Sequence, residues 1–92
     1  MKTIWKYSIL SGNRDGVSVE LLMKRGAKIL YVAEQDGDIC LWAMVDVEEE
    51  DVKRYFDVVG TGRKIHEGVK HEYVGSAQVM GGKYVFHIFE VK

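Results

Sequence analysis

Two apolar runs flank a single Asp36-Gly37 step in the stretch 28–47, KILYVAEQDGDICLWAMVDV. An Asp-Gly step between β-rich runs is typical of a two-residue type I′ hairpin, because that turn needs positive φ at both central residues. Both faces of both strands are mostly apolar, which favours a central sheet position for each strand and a core position for Trp42. Counting outward from the turn predicts four cross-strand pairs: Gln35 with Asp38, Ala33 with Cys40, Tyr31 with Trp42, and Ile29 with Met44.

The residues before this hairpin also follow strand periodicity. Period-two alternation over 3–10 (TIWKYSIL) predicts a half-buried strand with Trp5, Tyr7 and Ile9 on one side. Residues 11–16 (SGNRDG) have the composition of a loop. Residues 17–23 (VSVELLM) alternate and are too short for an independent helix, so a strand is expected, with a helical turn ending at Gly26 as the alternative.

The second half of the chain contains one charge-dense segment and a second hairpin. In 47–54 (VEEEDVKR), i,i+4 spacing of opposite charges allows one or two turns of helix. Residues 55–59 (YFDVV) predict a strand that ends at Gly60-Thr61-Gly62, followed by a polar loop over 63–70. Residues 71–80 and 83–91 predict a hairpin around Gly81-Gly82, which pairs Gln78 with Val85, Ser76 with His87 and Val74 with Phe89.

Gly75 lies inside a predicted strand, where glycine marks a bulge or a close approach of another backbone. Taken together, the elements predict one domain over 1–92 with no internal repeat. Its fold class is all-β, with room for one short helix: an antiparallel meander of about six or seven strands that forms a small barrel or a two-layer sandwich.

Composition narrows the classes of partner. The formal net charge is -1, from 13 basic and 14 acidic residues, so no global field favours nucleic acid or an anionic membrane. No apolar run approaches the roughly 18 residues of a membrane span. The single cysteine, Cys40, excludes an intramolecular disulfide and favours a cytosolic protein. We therefore expect no nucleic-acid partner and no membrane association.

The segment Gly60-Thr61-Gly62-Arg63-Lys64 is the most suggestive chemical motif in the chain. Glycine allows backbone N–H groups to point into a concavity, threonine adds a hydroxyl donor, and Arg63 and Lys64 add positive charge. The motif is therefore suited to a phosphate or a carboxylate, and His87 is a candidate for lining the pocket. The simpler interpretation is a tight turn followed by solvated basic residues, with His87 bonded to Ser76 or to a carbonyl.

The sequence contains no motif that is typical of catalysis or of metal binding. No Cys pair or HExxH pattern fixes His66, His71 and His87 as zinc ligands. Cys40 lies mid-strand, where a buried, inert thiol is the usual outcome. The serines lack a GxSxG elbow, and the carboxylates cluster only in the charged run 48–51. We expect no enzyme, no metal site and no cofactor.

Several motifs resemble a family of small bacteriophage and prophage proteins without an assigned activity: KTIWKY, GAKIL, QDGDICLWAMVD, VVGTG and YVGSAQVMGGKYVFHIFE. The resemblance runs from Lys2 to Glu90. The chain departs from the family pattern at Lys24-Arg25, where a proline is common. The resemblance implies a phage accessory protein in the host bacterial cytoplasm, and it carries no catalytic residues.

Two hypotheses follow from this resemblance. The first is a homo-oligomer that counters host defence by sequestering a small nucleotide-type ligand, with Gly60–Lys64 binding the phosphate and aromatic residues such as Tyr73 stacking on the base. The second is a protein-interaction module that inhibits a host defence protein, or a minor virion component, and docks through exposed aromatic side chains and the acidic run 48–51.

Overall fold

The computed structural model describes residues 1–11 and 17–92, so most of the predicted loop 11–16 lies outside the described residues. The described residues form no helix, and therefore none long and apolar enough to cross a membrane. They form seven strands: β1 (Lys2–Ser11), β2 (Val17–Lys24), β3 (Lys28–Gln35), β4 (Asp38–Asp46), β5 (Asp51–Gly60), β6 (His71–Val79) and β7 (Tyr84–Val91).

The strands form two antiparallel sheets that pack face to face. Sheet A has the order β1-β4-β3 and sheet B has the order β2-β5-β7-β6. The all-β prediction is confirmed, and the architecture is a small sandwich rather than a closed barrel in the described part of the chain. The strand order is not that of a simple meander, because β1, β2 and β4 are each followed by a strand of the other sheet.

The inner faces of the two sheets supply one hydrophobic core. Alternation along β4 and β5 places every second residue inside, as expected for sheets that each bury one face. The largest side chains that are fully buried come from both sheets: Phe56, Met23, Ile39, Leu41, Ile88, Val45 and Val58.

The Asp36-Gly37 hairpin forms as predicted near its turn. Asp36 and Gly37 have φ of 54° and 88°, the positive values that a type I′ turn requires. Three of the four predicted pairs are present: Gln35 with Asp38, Ala33 with Cys40, and Tyr31 with Trp42. The fourth is wrong, because a bulge at Leu30 shifts the register and pairs Lys28 with Met44.

Two positional expectations for this hairpin are corrected. β4 is central in sheet A, but β3 lies at its edge. β3 packs across the sandwich against β6, and this contact accounts in part for its apolar residues on both sides. Trp42 lies half-buried on the outer face of sheet A, next to Tyr31, while its neighbour Ala43 is in the core.

The second hairpin confirms two predicted pairs, Gln78 with Val85 and Ser76 with His87. The pair Val74–Phe89 is wrong because a bulge at Val74 places Tyr73 opposite Phe89. The strands end at Val79 and Tyr84, so the connection extends beyond the two glycines. The bulge interpretation of Gly75 is confirmed, since it adjoins the register shift at Val74, and its close neighbour is the side chain of Val32 of β3 rather than another backbone.

Both helical alternatives are wrong. Residues 17–24 form a strand, as favoured, and β5 begins at Asp51, so the charged residues there alternate between faces instead of pairing along a helix. Lys53 lies 3.8 Å from Glu20 of β2, and Arg54 pairs with Glu90 of β7. Strand pairing with β2 and β7 therefore outweighs the weak i,i+4 preference.

The segment 61–70 crosses the outer face of sheet B, which we define as the face turned away from sheet A. β5 and β6 are both antiparallel to β7, so they run in the same direction and their connection must return along the sheet. His66 of this segment contacts Asp57, whose neighbours Phe56 and Val58 point into the core. Asp57 and Val59 are thereby buried on the outer face.

Candidate functional site

A surface cleft of about 330 Å³ opens where β5 ends beside β7. The register places Gly60 opposite Phe86, which brings the turn after β5 against the start of β7. The cleft is lined by residues from these two places in the chain: Gly60, Thr61, Arg63, Lys83, Tyr84, Val85 and Phe86. Its volume lies in the range of small-molecule sites.

The turn that forms one wall of the cleft is closed by its own backbone. The amide of Arg63 donates to the carbonyl of Gly60 at 3.0 Å, and Gly62 has φ of 85°, as a type II turn requires at its third position. The amide of Thr61 donates to the carbonyl of Val85 at 3.1 Å. These two amides already have partners, so recognition of an anion falls to side chains rather than to the backbone.

Those side chains give the cleft a positive, partly aromatic lining. Among residues 1–11 and 17–92, the charged residues that line it are Arg63 and Lys83. The Lys83 ammonium lies 5.6 Å from the centroid of the Tyr84 ring, and that ring stacks on Phe86 with the centroids 6.5 Å apart. The arrangement offers two cations and an aromatic surface to a bound molecule.

A chain of four polar side chains runs from the cleft across the outer face of sheet B. The Thr61 hydroxyl lies 2.8 Å from Nε2 of His87, and Nδ1 of His87 lies 2.8 Å from the Ser76 hydroxyl. The Ser76 hydroxyl lies 2.7 Å from the hydroxyl of Tyr73. The predicted contact between His87 and Ser76 is therefore present, and it connects to the cleft through Thr61.

A second polar cluster lies on the same face around the buried carboxylate of Asp57. Ser18 donates to its Oδ1 at 2.6 Å, while His71 and His66 bond its Oδ2 at 2.7 Å and 3.2 Å. Burial acts to raise the pKa of Asp57, but the hydrogen bonds from Ser18, His71 and His66 outweigh it and lower the pKa. This cluster fastens the segment 61–70 to sheet B.

The Asp57 cluster is a hydrogen-bonded polar cluster. Within residues 1–11 and 17–92, no group of three or more His, Cys, Asp or Glu side chains has an arrangement that could hold a metal ion. Two histidines share one carboxylate oxygen here, so the carboxylate serves as their common acceptor.

The structure brings together only part of the predicted site. Gly60, Thr61 and Arg63 line the cleft, and His87 lies behind Thr61. Gly62 shapes the turn and Lys64 follows it, but neither lines the cleft.

Tyr73 does not line this cleft, where it was expected to stack on a base. It lines a different cleft, of about 390 Å³, beside the ion pair of Arg54 and Glu90, and reaches the polar chain only through Ser76.

Sequence reasoning missed Lys83, Tyr84, Ser76 and Asp57 as site residues. The signal for the first two was present in part: the glycine pair at 81–82 fixes where β7 begins, but only the pairing of β5 with β7 places that strand start beside Gly60. The Asp57 cluster depends on the crossing of segment 61–70, which no local pattern predicts.

The fold and the cleft together define a small antiparallel β-sandwich domain with a cationic surface cleft. The chain belongs to the family described as Domain of unknown function (DUF7352), whose model matches residues 1–92. No curated protein and no solved structure shows significant similarity to the chain.

Proposed function

We propose that the protein is a non-catalytic binding protein that takes a small phosphate-bearing ligand of nucleotide type in the cleft between Thr61 and Tyr84. The observation that carries this proposal is the lining of the cleft, where Arg63, Lys83 and the ring of Tyr84 lie together among the described residues. Arginine binds phosphate oxygens through two parallel hydrogen bonds, and lysine binds them as a point charge. Tyr84 is 40% exposed, so part of its ring is available for contact with a nucleobase.

The biological role that we attach to this site rests on the sequence motifs shared with phage and prophage proteins. In that role the protein is a phage accessory protein in the cytoplasm of the host bacterium. It sequesters a nucleotide-type signal of host defence and acts as a homo-oligomer. Sequestration needs affinity and abundance but no turnover, which agrees with a site built from binding groups.

Thermal shift with phosphate-bearing compounds tests the proposal. A ligand that binds only the folded state raises the free energy of unfolding by mass action, by about 2.7 kcal/mol at a hundredfold excess over Kd, and the thermal midpoint rises with it. A panel of inorganic phosphate, nucleoside monophosphates and cyclic dinucleotides is expected to contain at least one compound that raises the midpoint saturably.

Neighbouring basic residues provide a matched control. Arg63→Ala and Lys83→Ala are each expected to weaken binding by about tenfold or more, because each removes a charge-assisted contact. Lys64→Ala removes the same charge one residue away, outside the cleft, and is expected to leave affinity nearly unchanged. Equal losses in all three variants would show a diffuse charge effect and would remove the cleft as the site.

A second candidate function is favoured by the outer face of sheet A. Ile4 and Tyr31 are 57% and 62% exposed there and adjoin the half-buried Met44 and Trp42. Contiguous exposed apolar side chains mark protein interaction sites, so this face supports the alternative of a module that inhibits a host defence protein or serves in the virion.

The acidic run 48–51 supports that alternative less, because Glu50 pairs with Arg25 and Asp51 pairs with Lys24. Capture of a host defence protein that is lost in Tyr31→Lys, together with no ligand response in thermal shift, would favour this second function. Capture that survives Tyr31→Lys would exclude the sheet A face.

A further inference from the structure

The hydrogen-bonded chain behind the cleft has two self-consistent directions. Each hydroxyl in the chain both donates and accepts, and a neutral imidazole donates from one nitrogen and accepts at the other. In one direction Tyr73 donates to Ser76, Ser76 donates to Nδ1 of His87, and Nε2 of His87 donates to Thr61. In the reverse direction Thr61 donates to Nε2, and His87 donates to Ser76.

The direction decides what the cleft presents to a ligand. Thr61 lines the cleft, and its hydroxyl has one proton to donate. When Nε2 of His87 donates to Thr61, the hydroxyl proton of Thr61 no longer bonds to the histidine. The acceptor that remains for it inside the protein is the Val85 carbonyl, which lies at a long 3.4 Å and already accepts the Thr61 amide at 3.1 Å. The hydroxyl is then available to donate into the cleft.

We propose that His87 is a positioning residue that makes Thr61 a hydrogen-bond donor toward an oxyanion held between Arg63 and Lys83, and that the cleft therefore selects ligands whose contacting atoms only accept hydrogen bonds. The inference rests on the proposed function, since it concerns the same cleft. An anion beside the two cations favours the donating direction, and a polarised chain strengthens each of its bonds. Ser76 and Tyr73 supply the donors that keep Nδ1 of His87 an acceptor.

Two isosteric substitutions separate this role from simple packing. A glutamine amide group occupies the place of Nε2, so His87→Gln keeps a donor to Thr61 and loses the contact with Ser76. An asparagine amide group occupies the place of Nδ1, so His87→Asn keeps the contact with Ser76 and loses Thr61. Thr61→Val removes the hydroxyl itself while keeping the shape of the side chain.

Calorimetric titration with inorganic phosphate and with adenosine 5′-monophosphate measures the consequence. We expect Thr61→Val to lose about tenfold in affinity for both probes, His87→Asn to approach that loss, and His87→Gln to stay within about threefold of wild type. Thermal midpoints of the unliganded variants show that each one folds, and both histidine variants lose one packed hydrogen bond, so stability alone does not predict the difference between them.

The outcomes distinguish this inference from the proposed function. Equal affinities of His87→Asn and His87→Gln, whether both reduced or both retained, would overturn the positioning role while Arg63→Ala still weakens binding. Retained affinity in Thr61→Val would overturn it as well. A wild-type protein that binds neither probe would overturn both the cleft as a phosphate site and the role of His87.

Discussion

Gly75 of β6 lies so close to Val32 of β3 that a Cβ atom at position 75 would stand 2.9 Å from Cγ2 of Val32. This contact joins the edges of the two sheets, and it explains a glycine inside a strand by space rather than by backbone conformation. Val32 is buried and belongs to the core, so it has little room to retreat.

Gly75→Ala is therefore expected to destabilise the fold by about 1–3 kcal/mol through overpacking. The free energy of unfolding in urea measures the change. In a Val32→Ala background the 2.9 Å contact with Cγ2 is absent and only the Cβ of residue 32, at 3.0 Å, remains, so the same substitution should cost less. Equal costs in the two backgrounds would contradict the contact as the cause.

The ion pair of Arg54 and Glu90 joins β5 to β7 within sheet B. Arg54 binds both oxygens of Glu90, at 2.6 and 2.7 Å, and donates to the carbonyl of Ala27 at the start of β3. Glu90→Gln leaves a partly buried guanidinium without its counter-charge, so we expect a loss of about 1–3 kcal/mol in urea unfolding.

Glu72 provides the matched control for that substitution, since it lies directly opposite Glu90 in the β6–β7 register and is exposed. Glu72→Gln should change stability by no more than about 0.5 kcal/mol. Similar losses of unfolding free energy in the two variants would contradict a larger contribution of Glu90 than of Glu72 to stability.

Asp57 is expected to make stability depend on acid pH. Its pKa is lowered below the ordinary value of 3.8, because hydrogen bonds to Ser18, His71 and His66 outweigh burial. The folded state therefore holds this proton less tightly than the unfolded state. The resulting stabilisation is complete above the unfolded pKa and is lost as pH falls through the folded pKa.

Asp57→Asn should cost about 1–3 kcal/mol at neutral pH and flatten the fall in unfolding free energy on the acid side of about pH 5. Urea unfolding at a series of pH values measures both effects. Asp51→Asn, at an exposed carboxylate paired with Lys24, is the control and should leave the acid limb nearly unchanged. An unaltered acid limb in Asp57→Asn would contradict the assignment.

Cys40 is expected to be unreactive in the folded protein. Its side chain is buried in β4, and burial raises the pKa of the thiol, so the reactive thiolate is scarce at neutral pH. Labelling by an aromatic disulfide should be slow in buffer and rise steeply across the urea transition. Labelling in buffer as fast as that of a small free thiol would contradict the buried position.

Local patterns predicted the strands well because each signal is short-ranged. Asp36-Gly37 defined a turn through its positive φ, and the register followed until the bulge at Leu30 displaced it. A bulge depends on how an edge strand bends across the sandwich, so the local sequence does not show that one residue of the strand has no partner. The same reason applies to Val74.

The site was predicted in part for a related reason. Gly60, Thr61 and Arg63 lie within four consecutive residues, and one motif predicted them together. Their partners Lys83 and Tyr84 lie far along the chain and reach the cleft only because β5 pairs with β7. The sequence alone indicates which side chains favour phosphate binding, whereas the strand order determines which of these side chains lie close together.

Amide chemical shifts during titration with adenosine 5′-monophosphate show directly whether the cleft binds a phosphate-bearing ligand. We expect saturable shifts that are largest at the amides of Thr61, Arg63, Lys83 and Tyr84, that need about tenfold more ligand in the Arg63→Ala protein, and that are preserved in Lys64→Ala. Shifts that do not saturate, or that centre on Tyr31 and Trp42 of the sheet A face, would contradict it.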